Sequence, residues 1–210
     1  MKTSRYTKPK FYSNHRSRLS DKEEFNKTTN YHKEISNIEN NKRNILEIGF
    51  GNGSSIINIS KNNGVNCFGI ESYINGVRAV EQYINENNIN NIFIYKGDAV
   101  EIIETSFPNN FLDEILLFFP DPWPKNKHHK RRIINPYTLK LFFRKIKKGG
   151  VLQFSTDHTQ YAHDVKEMLS LHFKQDISFS NNRRCRPITK YENKAIIKNN
   201  TIFDIVVKNT

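Results

Sequence analysis

Short apolar runs alternate with stretches of helical period from residue 44 onward. The runs at 44–48, 65–70, 91–95, 113–119, 151–155 and 201–207 predict strands. The fourth is almost wholly apolar, which suits a strand covered on both faces. Between them 54–62, 73–87, 136–147 and 158–171 carry helical spacing, and 99–103 reads as one further short helix. Ile56, Ile57 and Ser60 form the inward stripe of the first helix; Tyr161, Val165, Met168 and Leu169 form that of the last. Gly149 and Gly150 stop the helix before the fifth strand. Strands alternating with helices predict an α/β fold, a mostly parallel sheet with helices on both faces. Such a sheet receives its ligand beyond the carboxyl ends of the strands, where the strand order switches direction.

Residues 1–43 show no sustained apolar period and carry Lys2, Arg5, Lys8, Lys10, His15, Arg16 and Arg18. They are read as a flexible basic N-terminal arm with a short helix near 21–26, and 44–210 as one domain without internal repeats. The whole chain has 210 residues, of which 36% are hydrophobic, and a mean hydropathy of −0.70. So polar a composition agrees with a solvated tail beside a core of ordinary size. The net charge of +12 favours a polyanionic partner through Lys and Arg contacts to phosphates. Cys67 and Cys185 make neither a disulfide framework nor a zinc site, and His128 and His129 lack further ligands, so no metal is expected. No apolar stretch approaches the roughly 20 residues of a membrane span. The first ten residues lack the apolar segment of a secretory leader. A cytoplasmic protein without a membrane partner is the expectation.

Candidate chemistry falls at successive strand ends. The first strand runs into LEIGFGNG, with Glu47 ahead of Gly49, Gly51 and Gly53. Glycines there permit positive φ and let a ligand approach the backbone. The third glycine comes one residue too early for the dinucleotide fingerprint G-x-G-x-x-G. An acid before the turn disfavours a pyrophosphate and suits the ammonium of a methionine-like ligand. The second strand ends in Glu71, placed either to accept the hydroxyls of a ribose or to sit as a charge at a helix start. The third ends in KGDAVE, where Asp98 suits an adenine amine, a helix cap before Ala99, or both. Three acids at three strand ends favour an adenosine-plus-cation ligand over a phosphate-bearing one. S-adenosylmethionine fits that description.

The fourth strand continues into FFPDPWPKNKHHKRR. Pro120, Pro122 and Pro124 restrict the backbone around Asp121 and Trp123. A buried acid flanked by Lys125, Lys127, His128, His129, Lys130, Arg131 and Arg132 suggests a substrate with both a base and phosphates. The same run also suits a merely solvated face, and Trp123 suits either base stacking or the core. Asp157, in STDH after the fifth strand, and its neighbour Thr156 are equally placed to cap the next helix. Thr189, Lys190, Tyr191 and Glu192 follow three arginines and read either as a charged loop or as a cover for substrate.

These segments, LEIGFGNG, GIE, GDAVE, FFPDPWPKNKHHKRR, STDH and TKYE, resemble the bacterial tRNA (guanine-N7-)-methyltransferases. They span most of residues 44–192; the FFPDPW-to-KRR block and TKYE are specific to that family, whereas the glycine turn is general. The resemblance implies a Rossmann-like class I methyltransferase fold, with a seven-stranded sheet and an antiparallel last strand. It implies transfer of a methyl group from S-adenosylmethionine to guanine N7 in tRNA, at a guanosine of the variable loop. It implies that Glu47, Gly49, Gly51, Glu71, Asp98, Ala99 and Asp121 contact cofactor, with Asp121 also catalytic. Lys125, Asp157, Thr189, Lys190, Tyr191 and Glu192 match substrate-binding positions. Pro124 stands where some members carry histidine, and Tyr191 where others carry phenylalanine. A monomer or homodimer is expected. Three other readings stand beside this one: methylation of a different atom (DPW partly resembles the Asn/Asp-Pro-Pro-aromatic motif of amino-group enzymes), a non-catalytic RNA-binding module, and a dehydrogenase, which the glycine spacing disfavours.

Overall fold

The computed structural model describes residues 41–210 apart from 175 and 185, together with Ile35 and Ile38. The sheet among these residues has six strands: β1 (Arg43–Ile48), β2 (Val65–Glu71), β3 (Ile92–Lys96), β4 (Leu112–Phe118), β5 (Ile146–Thr156) and β6 (Phe203–Lys208). Their order is β3-β2-β1-β4-β5-β6. All neighbours are parallel except β6, which runs antiparallel to β5. The helices are α1 (Ser54–Ser60), α2 (Ile74–Glu86), α3 (Ala99–Ser106), α4 (Pro136–Lys145), α5 (Thr159–Phe173) and α6 (Lys190–Ile197).

Alternate residues of each strand feed two separate apolar layers, as the period of two requires. Ile45, Cys67, Ile92, Ile94 and Leu116 pack with Ile56 and Ile59 of α1 and Val77, Val80 and Ile84 of α2. Leu46, Phe68, Phe93, Ile115 and Phe154 face the other way, against Ile103 of α3, Phe142 of α4 and Tyr161 of α5. Helices therefore cover both faces. Parity puts Glu47 and Glu71 on the α1–α2 side, since Glu47 lies opposite Gly69.

Several expectations need correction. The sheet has six strands among the described residues, not seven. Beyond β6 there is, among these residues, a single antiparallel bridge, Ser180 to Asp204. One bridge does not extend into a ladder, and the following turn carries the chain off toward Arg183 and Arg186. In α1, Ile56 and Ser60 are buried as expected, but Ile59 at 8% exposure takes the place of Ile57, which is only half-buried. Gly149 and Gly150 do not separate α4 from β5. They lie inside β5, in a bulge where pairing jumps from Leu112–Ile146 to Glu114–Val151. Residues 190–197 form a helix that periodicity did not reveal. Most of the arm expected over 1–43 lies outside the described residues. Of that stretch, Ile35 and Ile38 are buried in the α3–α5 layer, and Arg43 opens β1. No described helix is long and apolar enough to cross a membrane.

Candidate active site

The strand order reverses between β1 and β4, so a crevice opens beyond their carboxyl ends. Glu47 points into this region from the penultimate position of β1. It is 4% exposed, and its Oε2 has no hydrogen-bond partner. Burial pushes its carboxyl up from 4.5 to about 8. The Ser55 hydroxyl pulls the other way, the charge of Glu71 adds to the rise, and the Ile56 N–H lowers it again by less. A buried carboxylate oxygen without a partner is costly unless something supplies one.

The turn after β1 provides the space. Gly49 and Gly51 have φ of 75° and 57°, and a Cβ at either would meet nothing within 4 Å. Their backbone thus borders open volume, whereas Gly53 is required by packing, because its Cβ would lie 2.1 Å from Val80 Cγ2. Glu71 fixes this turn. Its Oε2 accepts from Gly51 N at 2.8 Å, and its Oε1 accepts from Ser72 N at 2.6 Å and Tyr73 N at 2.8 Å. Asp98 caps α3, its Oδ1 accepting from Val100 N at 2.7 Å, with half-buried Ala99 as the first helical residue.

The chain leaves β4 under backbone constraint. Phe119 and Trp123, both bulky, have φ of 51° and 43°. Such values are outliers for aromatic residues and persist only where surroundings impose them. Asp121 lies between them and is exposed, not buried as the proline context suggested. The basic flank then divides. Lys125, Lys127 and Lys130 are exposed along a 3-10 helix, Asn126–Arg131. The guanidinium of Arg131 lies over the Trp123 ring at 4.9 Å, and His128 meets the same ring edge-on. Lost solvation, then the charges of Arg131, Lys127, Lys125 and Lys130, lower the pKa of His128.

Arg132 departs from the cationic face altogether. It is 4% exposed, donates from Nε to the Pro122 carbonyl at 2.7 Å, pairs with Asp164 at 2.5 Å, and covers the Tyr161 ring. It anchors the Asp121 loop to α5.

Asp157 does not cap α5. His158 does so, its Nδ1 accepting from Tyr161 N at 3.2 Å, while Asp157 Oδ2 accepts from Asn200 Nδ2 at 2.9 Å. Thr189 caps α6 by accepting from Glu192 N, which leaves Lys190 exposed and Tyr191 51% exposed. The Tyr191 hydroxyl has a raised pKa, from lost solvation first and then from Asp121, Glu71 and Tyr73. The charges of Asp121 and Glu71 thus act on the start of α6. Glu192, expected at the substrate, is 2% exposed and paired with Arg183 and Arg186. The residues that sequence reasoning missed are Arg186, Asp204 and Ser155. Their one advance signal was an acid, Asp204, inside the apolar run FDIVV, since a buried carboxylate implies a buried partner. Among the described residues no group of three His, Cys, Asp or Glu side chains is arranged to hold a metal ion.

Glu47, Glu71, Asp98 and Asp121 thus stand at the ends of neighbouring strands on one edge. With the reversed strand order, this arrangement defines a Rossmann-like S-adenosylmethionine-dependent methyltransferase. The fold is shared with an antibiotic-related methyltransferase (17% identity, TM-score 0.57, 80% of this chain and 88% of that chain covered). It is also shared with a SAM-dependent methyltransferase from Aquifex aeolicus (13% identity, TM-score 0.53, 81% and 85% covered). Residues 40–205 match the family model described as "Putative methyltransferase". The tRNA (guanine-N(7)-)-methyltransferase of Buchnera aphidicola subsp. Baizongia pistaciae is 39% identical over 171 residues, covering 78% of this chain and 70% of that one. That of Nitrosococcus oceani is 39% identical over 167 residues, with the same coverage. The chain belongs to the tRNA (guanine-N7-)-methyltransferase family.

Proposed function

We propose that the protein methylates N7 of a guanine in tRNA, at a variable-loop guanosine, using S-adenosylmethionine. The observation that carries the cofactor half is Glu47: a buried carboxylate oxygen without a partner, beside two glycines that border open space. That donor set fits an ammonium, and Glu71 and Asp98 at the next two strand ends fit a ribose and an adenine amine. Bound there, the cofactor supplies an electrophilic methyl carbon on a sulfonium.

Guanine N7 has an in-plane lone pair and no proton, so no general base is needed before attack. The protein's task is alignment, at near-attack separations of about 3–3.5 Å. Positive charge grows on the purine as the bond forms. The Asp121 carboxylate beside the purine opposes that charge and accepts from the guanine N–H edge. Tyr191 and Trp123 offer ring faces for stacking, worth on the order of 1–3 kcal/mol per base. Lys125, Lys127 and Lys130 meet phosphates, which position the RNA without reading its sequence. Asp157 and the turn at Thr189 and Lys190 border the substrate, and Glu192 serves by holding that turn.

The test is incubation of the purified protein with methyl-labelled cofactor and tRNA lacking the modification, followed by nucleoside analysis. Label in 7-methylguanosine is the expected result. Label in a methylated adenosine, or in protein, overturns the reading of the acceptor atom. Cofactor binding with no transfer at all overturns the assignment of a catalytic role.

A further inference from the structure

The arginine-rich turn before α6 is not directed at solvent. Arg186 has 2% of its side chain exposed and makes a two-pronged contact with Asp204, Nε to Oδ1 at 3.2 Å and Nη2 to Oδ2 at 2.8 Å. Its remaining nitrogen, Nη1, pairs with Glu192 of α6, and the guanidinium lies over the Phe119 ring, 5.5 Å from its centre. Asp204 is itself fixed by the Ser155 hydroxyl. One planar group therefore joins β6, the first turn of α6 and the residue at which β4 gives way to the Asp121 loop.

We infer that Arg186 is a positioning residue for methyl transfer: it locks the first turn of α6 against the exit of β4, so that Tyr191 is presented opposite Asp121. Three observations carry this. Phe119 holds a positive φ and donates its N–H to the Ser155 carbonyl at 2.8 Å, so the ring under Arg186 is itself tied to β5. Glu192 follows Tyr191 directly and is buried, so its pairing sets the rotation of the helix that carries Tyr191. Arg183 reinforces the contact, reaching Glu192 at 2.8 Å while its carbonyl accepts from Gln153. A lysine has one ammonium and no fork, so it cannot meet Asp204 with two nitrogens and Glu192 with a third.

The inference rests on the proposed reaction, and its test separates the two. Arg186→Lys and Arg186→Gln are assayed for cofactor affinity by calorimetry and for kcat and KM with tRNA, alone and combined with Tyr191→Ala. Arg186→Lys keeps a cation between the two acids and so carries the test if Arg186→Gln does not fold. Misalignment of the acceptor on the scale of an ångström costs about a hundredfold. We expect kcat/KM for tRNA to fall by roughly that factor while cofactor affinity stays within about twofold. Because Arg186 acts through Tyr191, adding Arg186→Lys to Tyr191→Ala lowers the rate no further. A double variant whose losses multiply, or a cofactor affinity that falls in step with the rate, overturns the inference and leaves the reaction standing. A parent protein that forms no 7-methylguanosine overturns the reaction, and the inference with it.

Discussion

Replacing Glu47 by Gln keeps the shape of the side chain and removes its charge. Burial holds the parent carboxyl near 8 rather than 4.5. Between those values the folded chain retains a proton that the unfolded chain has released. The unfolded state then binds fewer protons, and stability falls as pH rises. The slope is at most about 1.4 kcal/mol per pH unit, so the interval amounts to roughly 5 kcal/mol as an upper bound. Glutamine does not titrate, so Glu47→Gln escapes this loss. Relaxation around a buried charge lowers the bound, and at about 2–4 °C per kcal/mol we expect the variant's melting midpoint to gain roughly 5–10 °C on the parent between pH 5 and pH 8.

The same substitution weakens the cofactor. Pairing an ammonium requires the ionised carboxylate, so the parent releases most of one proton on binding at pH 7, and the variant releases none. Calorimetry in two buffers of different ionisation heat counts that proton. Loss of a charge-assisted contact of about 1.5–3 kcal/mol predicts affinity lower by roughly ten- to a hundredfold. Parallel melting curves across this pH range, together with equal proton counts, would refute the argument that an uncompensated acid waits in the crevice for a cation.

Further expectations follow from the loop after β4. Asp121→Asn should retain cofactor binding and lose roughly 10²–10³ in kcat, read by methyl transfer to tRNA; turnover near the parent's removes Asp121 from the chemistry. Lys127→Ala with Lys130→Ala should flatten the salt dependence of tRNA binding by nearly two in slope. An unchanged slope means that this face meets no phosphate. Arg132→Ala should behave differently, removing the hydrogen bond to the Pro122 carbonyl, the cover over Tyr161 and the ion pair with partly exposed Asp164, and lowering stability by about 1–3 kcal/mol with little change in that slope. Thermal denaturation beside a salt titration separates the two effects.

The parts of the fold that follow local rules were legible. Strands β1 to β4 are each built on a short apolar run, and the helices from α1 to α5 bury apolar residues at helical spacing. The strand-end acids could be placed because an α/β alternation puts every such end on one edge. What failed depended on contacts distant in sequence. Asp121 read as buried because prolines surround it, yet nothing in FFPDPW shows which way the loop faces, and it faces solvent. Arg132 is indistinguishable from Arg131 in the run KRR; its partner Asp164 lies 32 residues away. Helix α6 has only Glu192 and Ala195 buried, too few to leave a periodic trace. It forms because Thr189 caps it and because Glu192 finds two arginines.

The pairing of Glu192 with two arginines is one of several that shape how a chain of net charge +12 would meet RNA. Arg43 and Arg184 converge on buried Glu114, Arg132 pairs with Asp164, and Arg183 and Arg186 pair with Glu192. Five arginines are thus engaged by carboxylates within the domain. The exposed cations of the rim loop are Lys125, Lys127 and Lys130. The division follows from the groups themselves. A guanidinium is a rigid fork, suited to fixing one element against another, whereas an ammonium is a mobile point charge that accepts a phosphate from many directions. A lysine rim therefore attracts the polyanion without dictating its orientation. In the proposed complex orientation falls to the crevice, where the arginine-held turn presents Tyr191. There the paired arginines hold the elements that set the geometry of the reaction, and the rim lysines hold the RNA without fixing that geometry.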